Sequence, residues 1–158
     1  MLEQICGFIH NYFMTDDHGQ YWHCEEGTFT ISNGSITLPF LVNGQFFRIV
    51  GSRLNDGVYQ YPVTVPQNAA PILIDETFTG KIYEMRPPRA FLKLVDDIGA
   101  WMKKYGDIMN SPYQSENVIG VYSYTKAGSG SNGSGGSDAK SDWQSVFFNR
   151  LNEWRKIA

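Results

Sequence analysis

Two Asn-Gly pairs, Asn33-Gly34 and Asn43-Gly44, with Asn55-Asp56-Gly57 close behind, constrain this chain more than any other feature. Asn and Gly tolerate the positive φ that the primed turns need at both central positions, so each pair predicts a tight reversal between short strands. The intervening segments agree: Tyr21 to Cys24, Gly27 to Ile31, Ser35 to Leu38, Phe46 to Gly51 and Gly57 to Tyr61 are short and rich in aromatic or β-branched residues. They predict a small antiparallel β meander or barrel with Phe47, Ile49 and Val58 in its core. Pro62, Pro66 and Pro71 mark a connector, after which Ile72-Leu73-Ile74 and Phe78 to Tyr83 predict one more strand pair.

Helical spacing frames this region. Leu2, Ile5, Cys6, Ile9, Tyr12 and Phe13 share one helical face, which predicts an N-terminal helix over 2–14 with Glu3 in its first turn. Phe91, Leu92, Leu94, Val95, Ile98, Trp101, Met102 and Tyr105 recur every three or four residues after Arg86-Pro87-Pro88 and before Gly106, and predict the main amphipathic helix. Near the C-terminus Trp143, Val146, Phe147, Arg150, Leu151 and Trp154 repeat in the same way to the end of the chain, with Ser141 as the expected N-cap. The fold class is therefore α+β. Its segments are an N-terminal helix at 1–16, a β-rich domain at 17–85, and the main helix with an extended segment at 86–127. A Gly/Ser-rich linker at 128–140 and a tethered C-terminal helix at 141–158 complete it.

The extended segment runs from Ser111 to Lys126, and its stretch from Val118 to Thr125 is nearly uncharged and rich in β-branched and aromatic residues. Such a segment calls for a partner edge, within its own domain or on another chain. The C-terminal face poses the same choice: it packs back on its own domain or docks on another subunit, Trp being a common interface anchor.

Composition narrows the function. Among 158 residues, 42% are hydrophobic and 18% charged, the balance of a globular chain, and no apolar run approaches the length of about 20 residues that spans a bilayer. A net charge of −3 with scattered Lys and Arg disfavours direct nucleic-acid binding. The acidic start Met1-Leu2-Glu3-Gln4 does not read as a signal peptide, so residence in a cytoplasm is expected, and Cys6 and Cys24 are expected as buried reduced thiols. His18, His23 and Cys24 lack a fourth ligand at a metal-binding spacing, so no metal or cofactor is expected. The adjacent carboxylates Asp75-Glu76 would point to opposite faces of a strand and read as solvated residues. No phosphate-binding loop, nucleophile elbow or zinc-protease motif occurs, so no catalytic residue is assigned and a non-enzymatic role is expected.

The segment Ser115-Glu116-Asn117-Val118-Ile119-Gly120-Val121-Tyr122-Ser123-Tyr124 resembles, with one more residue between its Glu and its Gly, the Ser-Glu-x-x-Gly-x-Tyr-Ser segment of tailed-bacteriophage head-tail connector (adaptor) proteins, where it also lies between two helices. Phe47 to Ser52, Asn55 to Tyr59 and Trp143 to Phe147 are similar to prophage proteins of Gram-positive hosts encoded beside capsid genes. The resemblance implies a virion structural protein assembled in the bacterial cytoplasm and placed in the neck. It would form a ring, commonly a dodecamer, beneath the portal protein, extend the DNA channel without gripping the duplex, and offer a platform to the stopper or tail-completion protein. Carried onto this chain, portal and inter-subunit contacts fall on Ser115 to Tyr124 and on the Trp143, Phe147, Leu151 and Trp154 face. The simplest connectors are almost wholly helical, so the β-rich stretch from Tyr21 to Tyr83 is an added domain. Two other readings compete: a monomeric β-barrel that binds a small ligand or glycan through Tyr21, Trp22, Tyr59 and Tyr61, and a tail-completion or minor capsid protein.

Overall fold

The computed structural model describes residues 1–105, the backbone of 115–118 and 122–125, and residues 142–157. The chain is an α+β protein whose described strands form an open four-stranded antiparallel sheet and a separate two-stranded one. It divides into two units, Met1–Arg89 and Ala90–Ala158.

In the first unit, α1 (Leu2–Phe8) precedes β1 (Cys24–Ile31), β2 (Phe46–Val50), β3 (Gly57–Gln60) and β4 (Glu76–Met85). The strand order is β1-β4-β2-β3. This corrects the expected meander or closed barrel: only β2 and β3 are sequential neighbours, and the last strand inserts between the first two. β4 earns the central place by its length, ten residues, which lets it pair with β1 over Cys24–Ile31 and with β2 over Phe46–Val50. Gly80 permits the crowding there, since a Cβ at that position would run into the Val50 carbonyl and the Gly51 backbone.

Two expected strands are instead lids on the sheet. Ile36 and Leu38 are buried, as is Leu73, but the segments that carry them pair with no strand beyond a bridge between Ser32 and Ser35. Pro39 and Pro71 at their borders each lack a ladder N–H, which confines these segments to covering the sheet. They close one face over Phe47, Ile49, Phe78 and Ile82, all within one buried cluster, each such side chain being worth about 1.5–3 kcal/mol of burial. Val58, expected in this core, is only half-buried. The opposite face carries Arg48, whose guanidinium lies 3.7 Å from the centre of the Tyr12 ring.

The turns follow local chemistry. Asn33 and Gly34 have φ of 51° and 69°, and Ser32 and Ser35 exchange both backbone hydrogen bonds across them, as a type I′ turn requires. At Asn43-Gly44 only Gly44 has positive φ (87°), and Gln45 N–H donates to the Val42 carbonyl. This is a type II turn leading into β2, not a hairpin. The N-terminal helix stops at Phe8, short of the expected residue 14. His10 takes a left-handed φ of 54°, His10 N–H bonds the Gly7 carbonyl and Asn11 N–H bonds the Cys6 carbonyl, a Schellman closure.

The second unit holds α2 (Arg89–Tyr105), β5 (Ser115–Val118), β6 (Tyr122–Thr125), α3 (Trp143–Val146) and α4 (Phe148–Asn152). α2 buries Phe91, Leu94, Ile98, Trp101 and Tyr105 along one stripe, as the spacing predicts. The expected continuous C-terminal helix is two short ones divided at Phe147, whose ψ of 9° leaves the helical region, and neither reaches the end of the chain. Asp142, not Ser141, is the N-cap, its Oδ1 accepting from Ser145 N–H at 2.9 Å. Among the described residues no helix is long and apolar enough to cross a membrane.

Candidate functional site

The expected interaction segment folds on itself. β5 and β6 pair antiparallel, with Ser115 opposite Thr125, Glu116 opposite Tyr124, Asn117 opposite Ser123 and Val118 opposite Tyr122. What reads as one strand from Val118 to Thr125 therefore starts at the last residue of β5 and ends with β6, and the sequence signal for a reversal is Gly120 in the middle of an otherwise apolar run. Ile119, Gly120 and Val121 lie outside the described residues. Among the described strands, β5 and β6 join no other.

The C-terminal residues assigned to the same role sit on α2. Leu151 is fully buried, the Trp154 ring meets Phe91 edge-on at 5.7 Å, and the Phe147 ring meets Trp101 at 6.2 Å and 87°. Arg150 fixes the register by donating to Asp97 at 2.8 Å and resting its guanidinium on the Phe147 ring. Trp143 is half-buried, while Val146 and Phe148 remain exposed. Of the two expectations for this face, intramolecular packing is the one seen, so Phe147, Leu151 and Trp154 are engaged within the chain.

The four aromatics of the ligand-binding reading do not form one surface. Tyr59 and Tyr61 pack on Phe47 at the core, and Tyr59 Oη donates to the Asn55 carbonyl. Tyr21 instead stacks on Tyr83 and Trp22 holds the Arg86 guanidinium at 4.8 Å. Tyr83 pairs with Arg48 and so points to the face opposite Phe47.

No group of three His, Cys, Asp or Glu among the described residues stands close enough to hold a metal ion. His23 Nε2 bonds the Glu25 carboxylate at 2.9 Å with its ring on Phe40, and the Asp16 carboxylate accepts from His18 N–H. Cys6 and Cys24 are both thiols, and burial pushes Cys6 up to about 12, against the opposing pull of Arg48. That thiol is a packing group.

Four polar residues hold loops in a way their sequence context does not announce: Ser52, Asn55, Asp75 and Glu76. Asp75 accepts from the backbone N–H groups of Asn33 and Gly34, at 3.1 and 2.8 Å, and so holds the first turn. Glu76 accepts from Ser52 Oγ, from Asn55 Nδ2 at 2.9 Å and from Arg53 N–H at 3.1 Å, gathering the β2–β3 loop. The hydrogen bond from Ser52, helped by those from Asn55, Arg53 and Leu54, holds the Glu76 carboxyl below its ordinary value of 4.5 against a smaller desolvation effect. Asp75 is exposed and Glu76 half-buried, and both carry hydrogen bonds from the chain as well as facing solvent. Each anchors a different loop, so together they make no acid–base pair.

Compared with known proteins, the chain matches no family model, no curated protein and no solved structure.

Proposed function

We propose that this chain is a non-enzymatic virion structural protein of the head-tail connector class. It acts beneath the portal protein, in the neck of a tailed phage assembled in a bacterial cytoplasm. The observation that carries the reading is the hairpin of Ser115–Val118 and Tyr122–Thr125, which stands at the residues of the connector-like motif and pairs with no other described strand. A two-stranded ribbon by itself is marginal in water, so a third strand supplied by a portal or a neighbouring subunit stabilises it through main-chain hydrogen bonds. Head-to-tail repetition of one such contact closes a ring, which the resemblance puts at a dodecamer.

In this account the four-stranded sheet is a domain added to the ring, genomic DNA passes through without specific contact, and the stopper or tail-completion protein docks on the opposite side. The chain's net charge of −3 supports a channel that lets the duplex slide. Co-elution of the purified chain with a portal protein, and its loss when the hairpin ladder is broken, tests the reading. Indifference to portal combined with binding to a tail tube would place the protein among tail-completion proteins instead.

A further inference from the structure

The four-stranded sheet ends on β1 at one side and β3 at the other, and β1 is the longer edge, eight residues against four. One side of β1 pairs with β4 in an unbroken register. Among the described residues no backbone hydrogen bond reaches its other side. A long row of unpaired N–H and C=O groups is a template for another strand, and proteins usually blunt it with proline, a bulge or charge. β1 has no proline and no bulge, and its charges, Glu25 and Glu26, lie near one end.

We propose that this edge pairs with itself: a second copy of the chain adds its own β1 antiparallel, with Thr28 facing Thr28 of the second copy across a two-fold axis. In that register Gly27 faces Phe29, Glu26 faces Thr30 and Glu25 faces Ile31, and opposed residues share a face, so each face of one sheet continues into the same face of the other. The sequence is complementary to itself in three ways.

On the polar face, Thr28 and Thr30 already bond the hydroxyls of Thr79 and Thr77 at 2.9 and 3.1 Å, and the axis extends this row from one copy into the next. On the other face nothing lies within 4 Å of where a Cβ of Gly27 would stand, and the opposed Phe29, stacked on Phe78 at 5.6 Å, supplies an aromatic cover for that glycine. The charges select direction. Antiparallel pairing sets Glu26 against a threonine while Lys81 holds its carboxylate at 3.3 Å, whereas parallel pairing stacks Glu25 and Glu26 on their own copies. This contact is isologous, uses the first unit only and does not rest on the connector reading, which uses the hairpin and needs a heterologous contact.

Light scattering of the full chain over a dilution series tests it. The expected mass is twice 17.9 kDa, falling to the single-chain value in Thr28→Lys, which sets two ammonium groups against each other on the exposed face while circular dichroism confirms the fold. Cross-linking checks the register without perturbing the edge: in a Cys24→Ser background, oxidised Thr28→Cys gives a covalent dimer and Thr30→Cys, facing Glu26, does not. A single-chain mass throughout, a dimer indifferent to Thr28→Lys, or equal cross-linking at both positions would overturn the pairing. A ring-sized mass that survives Thr28→Lys would overturn it too, and would leave the connector reading standing.

Discussion

The side-chain amide of Asn55 takes the place of a strand for Ile74: its Oδ1 accepts the Ile74 N–H at 2.8 Å and its Nδ2 donates to the Ile74 carbonyl at 2.9 Å. One buried side chain thus satisfies both backbone groups of a residue that lies outside the sheet. The same Nδ2 reaches Glu76, so the loop before β3 and the entry to β4 are fastened together.

Asn55→Ala leaves both Ile74 groups without their partner, and each group stranded in this way costs about 1–3 kcal/mol. The expected loss of stability is about 2 kcal/mol, read as a lower denaturation midpoint with an unchanged slope. Asn55→Asp is expected to be worse, because it removes the donor and sets a second carboxylate beside Glu76.

Glu76 gives the first unit an acid-sensitive joint. Its carboxyl titrates lower in the fold than its ordinary value of 4.5, so its contribution is complete above that value and is lost as pH falls through the lowered one. Glu76→Gln removes this contribution and this slope. Thermal unfolding followed from neutral pH downward should show the wild type losing stability more steeply than the variant below about pH 4.5; parallel curves would contradict the assignment.

Leu151 is the buried pin of the C-terminal segment on α2. Leu151→Ala is expected to weaken that docking by about 2–5 kcal/mol, since α3 and α4 are too short to be stable without it. Red-shifted tryptophan emission and faster proteolysis after Arg150 or Arg155, with the first unit still folded, are the readouts.

The two thiols should separate kinetically. Cys6, buried and pushed up to about 12, is expected to resist a thiol reagent at pH 8 until the protein unfolds, while half-exposed Cys24 reacts in the native state. Cys24→Ser should abolish the native reaction.

Much of this architecture is legible in the sequence because it rests on local periods. The stripe of α2 from Phe91 to Tyr105, the strands around Phe47–Ile49 and at Gly57, and the turn at Asn33-Gly34 all follow from spacing and turn chemistry. Strand order does not, because nothing local to Phe78 or Ile82 says that β4 will slot between β1 and β2. The lid segments around Ile36 and Leu73 read as strands because alternating buried and exposed residues look the same whether the neighbouring backbone bonds a strand or, as at Ile74, the side chain of Asn55. The segment from Ser115 to Thr125 is legible as extended and apolar, but the pairing of β5 with β6 has only one signal in the sequence, Gly120. The C-terminal face announced burial through Phe147, Leu151 and Trp154, yet spacing cannot say that the surface receiving them is α2 of the same chain.

The most direct test of the connector account is the mass of the complex formed when the purified chain meets a portal ring, measured by light scattering beside the variant Ser123→Pro. Proline removes a backbone donor from β6, so the account predicts a co-eluting ring with the wild type and, with the variant, a portal that elutes apart from the unbound protein. A wild-type chain that ignores the portal, or a Ser123→Pro chain that still binds it in full, would contradict the claim that this hairpin is the assembly segment.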